Sequence, residues 1–352
     1  MTLDQQRGAR HQIRSSALRG CAVLGAALVC VGCPSATTPT GPIPVISCPA
    51  SATGQSVDGS AVAVTFAPPI VSGGTAPVTT SCTPSAFPVG TTKATCTARD
   101  AKQQVASCTF AVTVVKVPQL AATKFVAFGD SITSGVVATS CPVGGGVSCA
   151  APTLGSRWTQ QIDDLRLLYP TLGEESPVAY PRQLQTMLSA RFAAQTITMV
   201  NEGSPGEFIA EGKARLPSTL TRGAPQVLLL QEGANDLNQA RPSISSLVSD
   251  LRAMVQEGRR RGLDVFVGTA LPQRPFSCRG YDFCDGVADV VPLNAQIRTM
   301  VVAEGAVLVD LFPLFEGQTL TLLGLDGLHP NEAGYQRMAD AFFMAIRQRF
   351  EN

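Results

Sequence analysis

Lys124-Phe125-Val126-Ala127-Phe128-Gly129-Asp130-Ser131 joins a short apolar run to a polar turn. The run has strand length, and its apolar character predicts a strand buried within a sheet. Comparable runs recur at Thr196–Val200, Gln226–Leu230, Leu263–Val267 and Ala306–Leu311. Helical periods separate them. Between 246 and 260, Leu247, Leu251, Met254 and Val255 share one face. After His329, Tyr335, Met338, Phe342, Ile346 and Phe350 recur at helical spacing, with Asn331 placed to cap the helix start. Strands alternating with helices predict an α/β domain over residues 124–352, with a parallel sheet covered on both faces. Ligands of such sheets bind beyond the carboxyl ends of the strands.

The polar residues at those ends carry the chemistry. Ser131 follows the first strand at a strand-to-helix turn, which exposes its hydroxyl at the sheet edge and places its amide at a helix start. The plain alternative is an ordinary turn, for which Gly-Asp-Ser is common. Asn201-Glu202-Gly203-Ser204-Pro205-Gly206 follows the second strand, where a glycine lets the backbone approach a ligand or simply makes a turn. Gly233-Ala234-Asn235-Asp236 follows the third. The Asn235 amide can face a developing oxyanion, and loss of such a donor costs about 3 kcal/mol; helix capping by Asn235 or Asp236 is the alternative. Asp326-Gly327-Leu328-His329-Pro330-Asn331 precedes the last helix. The other histidine, His11, falls in an expected leader, so His329 is the one candidate general base. Asp326 can hold its tautomer, and Pro330 biases His329 away from helical geometry. Each motif has an ordinary structural explanation by itself, but their order puts a nucleophile, oxyanion donors and an Asp–His pair on one sheet edge.

These four blocks together resemble the SGNH (GDSL) hydrolase family over residues 124–352. The resemblance implies a flavodoxin-like three-layer sandwich and hydrolysis of carboxylic esters, thioesters or carbohydrate acetates without metal or cofactor. It implies Ser131 as nucleophile, His329 as base and Asp326 as its orienting carboxylate. The oxyanion hole it implies consists of the Ser131 and Gly206 backbone N–H groups and the Asn235 side chain. The expected substrate is an ester, either a small molecule or an acylated carbohydrate. Two alternatives are a carbohydrate O-acetylesterase and an adhesion or binding protein with an inactive hydrolase fold. Asp310 is expected to hydrogen-bond a loop, Asp163, Asp164, Glu174 and Glu175 to be solvated, and Trp158 to be core.

Residues 45–117 have another texture, rich in Thr, Val, Ser and Pro. Ala61–Phe66, Thr91–Cys96 and Cys108–Val115 predict strands, and Gly73-Gly74, Pro88 and Gly90 mark turns. Short strands with frequent turns predict a β-sandwich. Ser81-Cys82-Thr83-Pro84, Phe87-Pro88-Val89-Gly90-Thr91-Thr92, Cys96-Thr97-Ala98-Arg99-Asp100 and Ala106-Ser107-Cys108 closely resemble the hyalin repeat, a small immunoglobulin-like module. That resemblance implies spacing or adhesion, with a cell surface or polysaccharide as the partner.

Arg7, Arg10, Arg14 and Arg19 precede an apolar stretch, Cys21–Val31, and then Gly32-Cys33. The pattern predicts an export signal over 1–32 and a linker over 33–44; the apolar stretch is too short for a spanning helix. Cys33 resembles the lipid-modified cysteine of bacterial lipoproteins, which implies membrane anchoring. Cys30 stands where such signals usually carry Leu, so cleavage by the general signal peptidase is the alternative. Removing residues 1–32 takes away four arginines and Asp4, moving the formal charge from +1 to −2. No basic stripe points to nucleic acid.

Of eleven cysteines, setting aside Cys21, Cys30 and Cys33 leaves eight, an even number suited to an oxidising compartment. With no C-x-x-C pair among these eight and one available histidine, disulfides are a better reading than zinc. The expected pairs are Cys48–Cys108, Cys82–Cys96, Cys141–Cys149 and Cys278–Cys284, although spacing does not fix connectivity. The last two would close loops at the active edge, the second following Pro272-Gln273-Arg274-Pro275, and would favour short acyl groups.

Overall fold

A computed structural model describes residues 41–139, 176–240, 242–274 and 285–352. The leader, Cys33, Cys141, Cys149, Trp158, Asp163, Asp164, Glu174, Glu175, Cys278 and Cys284 lie outside the described residues. The chain divides into two compact units. Described residues of the first are 41–49, 68–83 and 95–109; the second comprises 50–67, 84–94 and the described residues from 110 onward.

In the first unit β1 (Val45–Ser47) pairs antiparallel with β3 (Ile70–Ser72). β4 (Thr79–Thr83) pairs with the second half of β5 (Gly90–Arg99), which sets Cys82 opposite Cys96. That facing position explains their disulfide, and a second joins Cys48 to Cys108. The buried Asp100 carboxylate accepts backbone N–H bonds from Thr75, Lys102 and Gln104, closing the turn that follows β5.

In the second unit β2 (Ala52–Ser56) runs parallel to the end of β6 (Val105–Lys116). The strand expected at Ala61–Phe66 does not form. Its side chains do alternate in exposure, but only Val62 bridges, with Phe87. The Phe66 ring meets Phe110 edge-on at 4.9 Å. Packing holds this segment extended without a ladder, and Pro68-Pro69 ends it.

The rest of this unit is built on five strands: β7 (Lys124–Gly129), β8 (Thr198–Gly203), β9 (Val227–Gln231), β10 (Asp264–Gly268) and β11 (Val307–Val309). Their order is β11-β10-β9-β7-β8, and all pairs are parallel. Counting from β7, this is the flavodoxin-like order 2-1-3-4-5 read from β8, with its switch point between β7 and β9. Strand alternation divides the apolar residues between two cores. Phe125, Ala127 and Leu229 face α2 (Tyr180–Arg191) and α8 (Glu332–Phe350), joining a cluster with Leu184, Leu188, Tyr335, Met338 and Phe342. Val126, Phe128, Leu228 and Leu230 join the opposite cluster with α3 (Ile209–Gly223), α4 (Ile244–Arg260) and α5 (Asp285–Ala303). Every residue of β9 is buried, as a central strand covered on both faces requires.

Edge strands depart most from the sequence reading. β8 begins at Thr198 rather than Thr196 and continues through the polar Asn201 and Glu202, because its ladder with β7 runs on to Gly203. β11 is shorter than expected; Asp310 beyond it accepts bonds from Thr269 Oγ1 and the Arg298 guanidinium. Among the described residues no helix is long and apolar enough to cross a membrane.

Candidate active site

Sheet register brings the motifs to one edge. Gly129 is paired with Gly203 on one side and Gln231 on the other, so β7, β8 and β9 end side by side. Ser131, Gly206 and Asn235 follow those ends within four residues. Gly203 must be glycine for a spatial reason: a Cβ there would sit 2.1 Å from the Ser134 nitrogen. Gly206 needs its freedom conformationally, with φ at +84°.

Ser131 opens α1 (Ser131–Ser134), whose N-cap is Asp130. The Asp130 Oδ1 accepts from Ile132 N–H at 2.9 Å and its Oδ2 from Ala234 N–H at 3.3 Å, joining the loops after β7 and β9. As the first helical residue, Ser131 has no intrahelical acceptor for its N–H. Burial pushes the Asp130 carboxyl up to about 6, against the pull of the Ile132 bond and nearby His329.

The acid–base loop folds on itself before α8. Asp326 is fully buried, and its Oδ1 accepts from the N–H groups of Leu328 and His329 at 3.0 and 3.1 Å. Its Oδ2 lies 2.5 Å from His329 Nδ1. An ionised carboxylate only accepts, so Nδ1 carries the hydrogen and Nε2 is left with its lone pair. Nε2 lies 2.8 Å from Ser131 Oγ. Residues separated by 198 positions thus share a hydrogen bond in which the hydroxyl donates to the imidazole. Asn331 caps α8 through a bond from Gly334 N–H at 3.0 Å.

Asn235 is buried, and its Nδ2 donates to the Glu207 carbonyl oxygen at 2.9 Å. An amide N–H₂ has two hydrogens, so a second remains for another acceptor. Asp236 Oδ2 accepts from Ile209 N–H at 3.0 Å, tying the loop after β9 to the start of α3.

Sequence reasoning left out several residues around this edge. Arg274, which precedes the expected cysteine loop in sequence, braces the acid–base loop. Its guanidinium donates to the carbonyls of Thr319, Gly324 and Leu325, and its N–H to that of Gly327. No local pattern announces these long-range bonds. Asp130 was findable, since a carboxylate directly before a helix start is a cap signal.

Glu232 is buried with neither carboxylate oxygen hydrogen-bonded. Burial and the neighbouring Asp130, Glu207 and Asp236 push its carboxyl well above the ordinary range, while Arg215 opposes them. A group with a raised folded-state pKa supports folding below its unfolded value and loses that support as pH rises through the folded one. Wild-type stability is therefore expected to decline from this source above about pH 4.5. In urea titrations, Glu232→Gln should gain on wild type as pH rises from about 5 to about 8. A constant difference between the two proteins would contradict this.

A flavodoxin-like sheet with a Ser–His–Asp chain at its carboxyl edge is an architecture of serine hydrolases. The chain belongs to the GDSL-like Lipase/Acylhydrolase family, whose sequence model matches residues 127–337. At the level of that family it is a hydrolase of ester type. An HYR domain model matches residues 39–114. Among solved structures, the chain is similar to the lipase/acylhydrolase from Enterococcus faecalis at 22% identity and TM-score 0.45, covering 65% of this chain and 97% of that one. It is similar to the native M. smegmatis aryl esterase at 18% identity and TM-score 0.49, covering 64% and 99%. Axe2, an acetylxylan esterase from Geobacillus stearothermophilus, matches at 20% identity and TM-score 0.44, covering 64% and 94%. No curated protein matches the chain.

Proposed function

We propose that this protein is an exported serine esterase acting through an acyl-enzyme on Ser131. The observation that carries the reading is the bond series Asp326–His329–Ser131, with His329 Nε2 2.8 Å from the hydroxyl. His329 takes the Ser131 proton as Oγ adds to the ester carbonyl carbon. The carbonyl oxygen becomes an anion held by the N–H groups of Ser131 and Gly206 and by the Asn235 amide. The tetrahedral intermediate collapses, the C–O bond to the alcohol breaks, and His329 returns the proton to the departing oxygen. Water then adds to the acyl-enzyme with His329 again as base, releasing the acid and restoring Ser131. Asp326 stabilises the imidazolium in both halves and stays ionised.

Hydrolysis of p-nitrophenyl acetate is expected without added cofactor, and folded protein that does not turn it over would contradict the reading. Export is supported by the leader pattern and by two disulfides, which belong to an oxidising compartment. Lipid attachment at Cys33 extends this reading; an unmodified N-terminal peptide in the mass spectrum of the mature protein would remove it.

A further inference from the structure

Two of the three groups read as oxyanion donors, the Gly206 N–H and the Asn235 amide, are tied to adjacent residues of one loop. Asn235 is oriented by the Glu207 carbonyl, and Gly206 directly precedes Glu207. Whatever fixes residues 206–207 therefore aims both donors. The Glu207 carboxylate is buried and held by Arg215, with Nε at 2.7 Å from Oε1 and Nη2 at 2.6 Å from Oε2. The same Nη2 donates to the Glu202 carbonyl at 2.9 Å, at the end of β8. The guanidinium also lies 3.9 Å from the Phe128 ring centroid, near the end of β7 and three residues before Ser131. One side chain from α3 thus ties the donor loop to the ends of two strands. A planar fork with fixed donor directions can do this where a lysine point charge cannot.

We propose that the Arg215–Glu207 pair is a positioning device for the oxyanion hole, setting the Gly206 N–H and the Asn235 amide against the carbonyl attacked by Ser131. The proposal rests on the reading of those two groups as oxyanion donors. Arg215 and Glu207 act through the loop and the amide, so they are positioning residues. A bridge of purely structural value would change melting temperature and leave transition-state binding alone.

The test compares wild type with Arg215→Met, Arg215→Lys, Glu207→Gln, the Arg215→Met/Glu207→Gln double variant and Asn235→Ala. It reads kcat and KM on p-nitrophenyl acetate, and Ki for an aryl trifluoromethyl ketone, which forms a tetrahedral anion on serine. Arg215→Met and Glu207→Gln should each lower kcat about 10- to 100-fold and raise the ketone Ki by a similar factor, with KM little changed. The double variant should be no worse than the poorer single one, and Arg215→Lys should not restore the loss. Glu207→Gln keeps the backbone carbonyl and the side-chain volume, so it remains informative if Arg215→Met fails to fold. Unchanged kcat and Ki in Glu207→Gln, or in a folded Arg215→Met, would overturn the proposal. Asn235→Ala separates the two levels. If it weakens the ketone while the pair variants do not, only the positioning role fails; if it leaves ketone binding intact, the oxyanion assignment fails with it.

Discussion

Ser131→Ala is expected to lower ester turnover by a factor on the order of 10⁵ to 10⁶, with little change in folding stability. The size follows from chemistry: alanine removes the hydroxyl that lies 2.8 Å from His329 Nε2. Stability should hold because the Ser131 side chain supports no secondary structure. Ser134 Oγ bonds the Ser131 backbone carbonyl, which alanine retains, and Asp326 still holds the imidazole. Steady-state kinetics with a melting curve on the same preparation checks both halves. Turnover within tenfold of wild type would move the nucleophile elsewhere.

Asp326→Asn should cost about 10⁴-fold in kcat through the tautomer of His329. The asparagine oxygen can still accept from Leu328 and His329 N–H, as Oδ1 of the carboxylate does. Its amide then faces Nδ1 and donates to it. That stabilises the imidazole with its hydrogen on Nε2, which points a donor at Ser131 Oγ where catalysis needs an acceptor. The loop should stay closed, since Arg274 still bonds the carbonyls of Thr319, Gly324 and Leu325. A loss smaller than tenfold would mean that the carboxylate does not set the tautomer.

The central sheet was legible because each strand carries its own signal. Val227–Gln231 is apolar almost throughout and lies buried in the middle of the sheet. Edge strands were read less well, since half of their surface is solvated. β8 extends through Asn201 and Glu202 because of its partner, not its composition. The segment Ala61–Phe66 shows the converse: alternation was real, but side-chain packing used it without a backbone ladder. At the site, Ser131, Gly206 and Asn235 were nameable because they sit in short polar blocks just past strand ends, and Asp326 and His329 because their block precedes the last helix. Arg215, Glu207 and Arg274 were not. In sequence an arginine inside a helix or loop looks like a solvated charge, and only the fold reveals which carboxylate or carbonyl it meets.

The most direct measurement is peptide mapping after treatment with a fluorophosphonate probe. The reading predicts one phosphonyl adduct, on the peptide containing Ser131, that is suppressed by competing ester and absent from Ser131→Ala. Active protein that takes no label there, or takes it on another residue, would contradict the assignment of Ser131 as the acyl-carrying nucleophile.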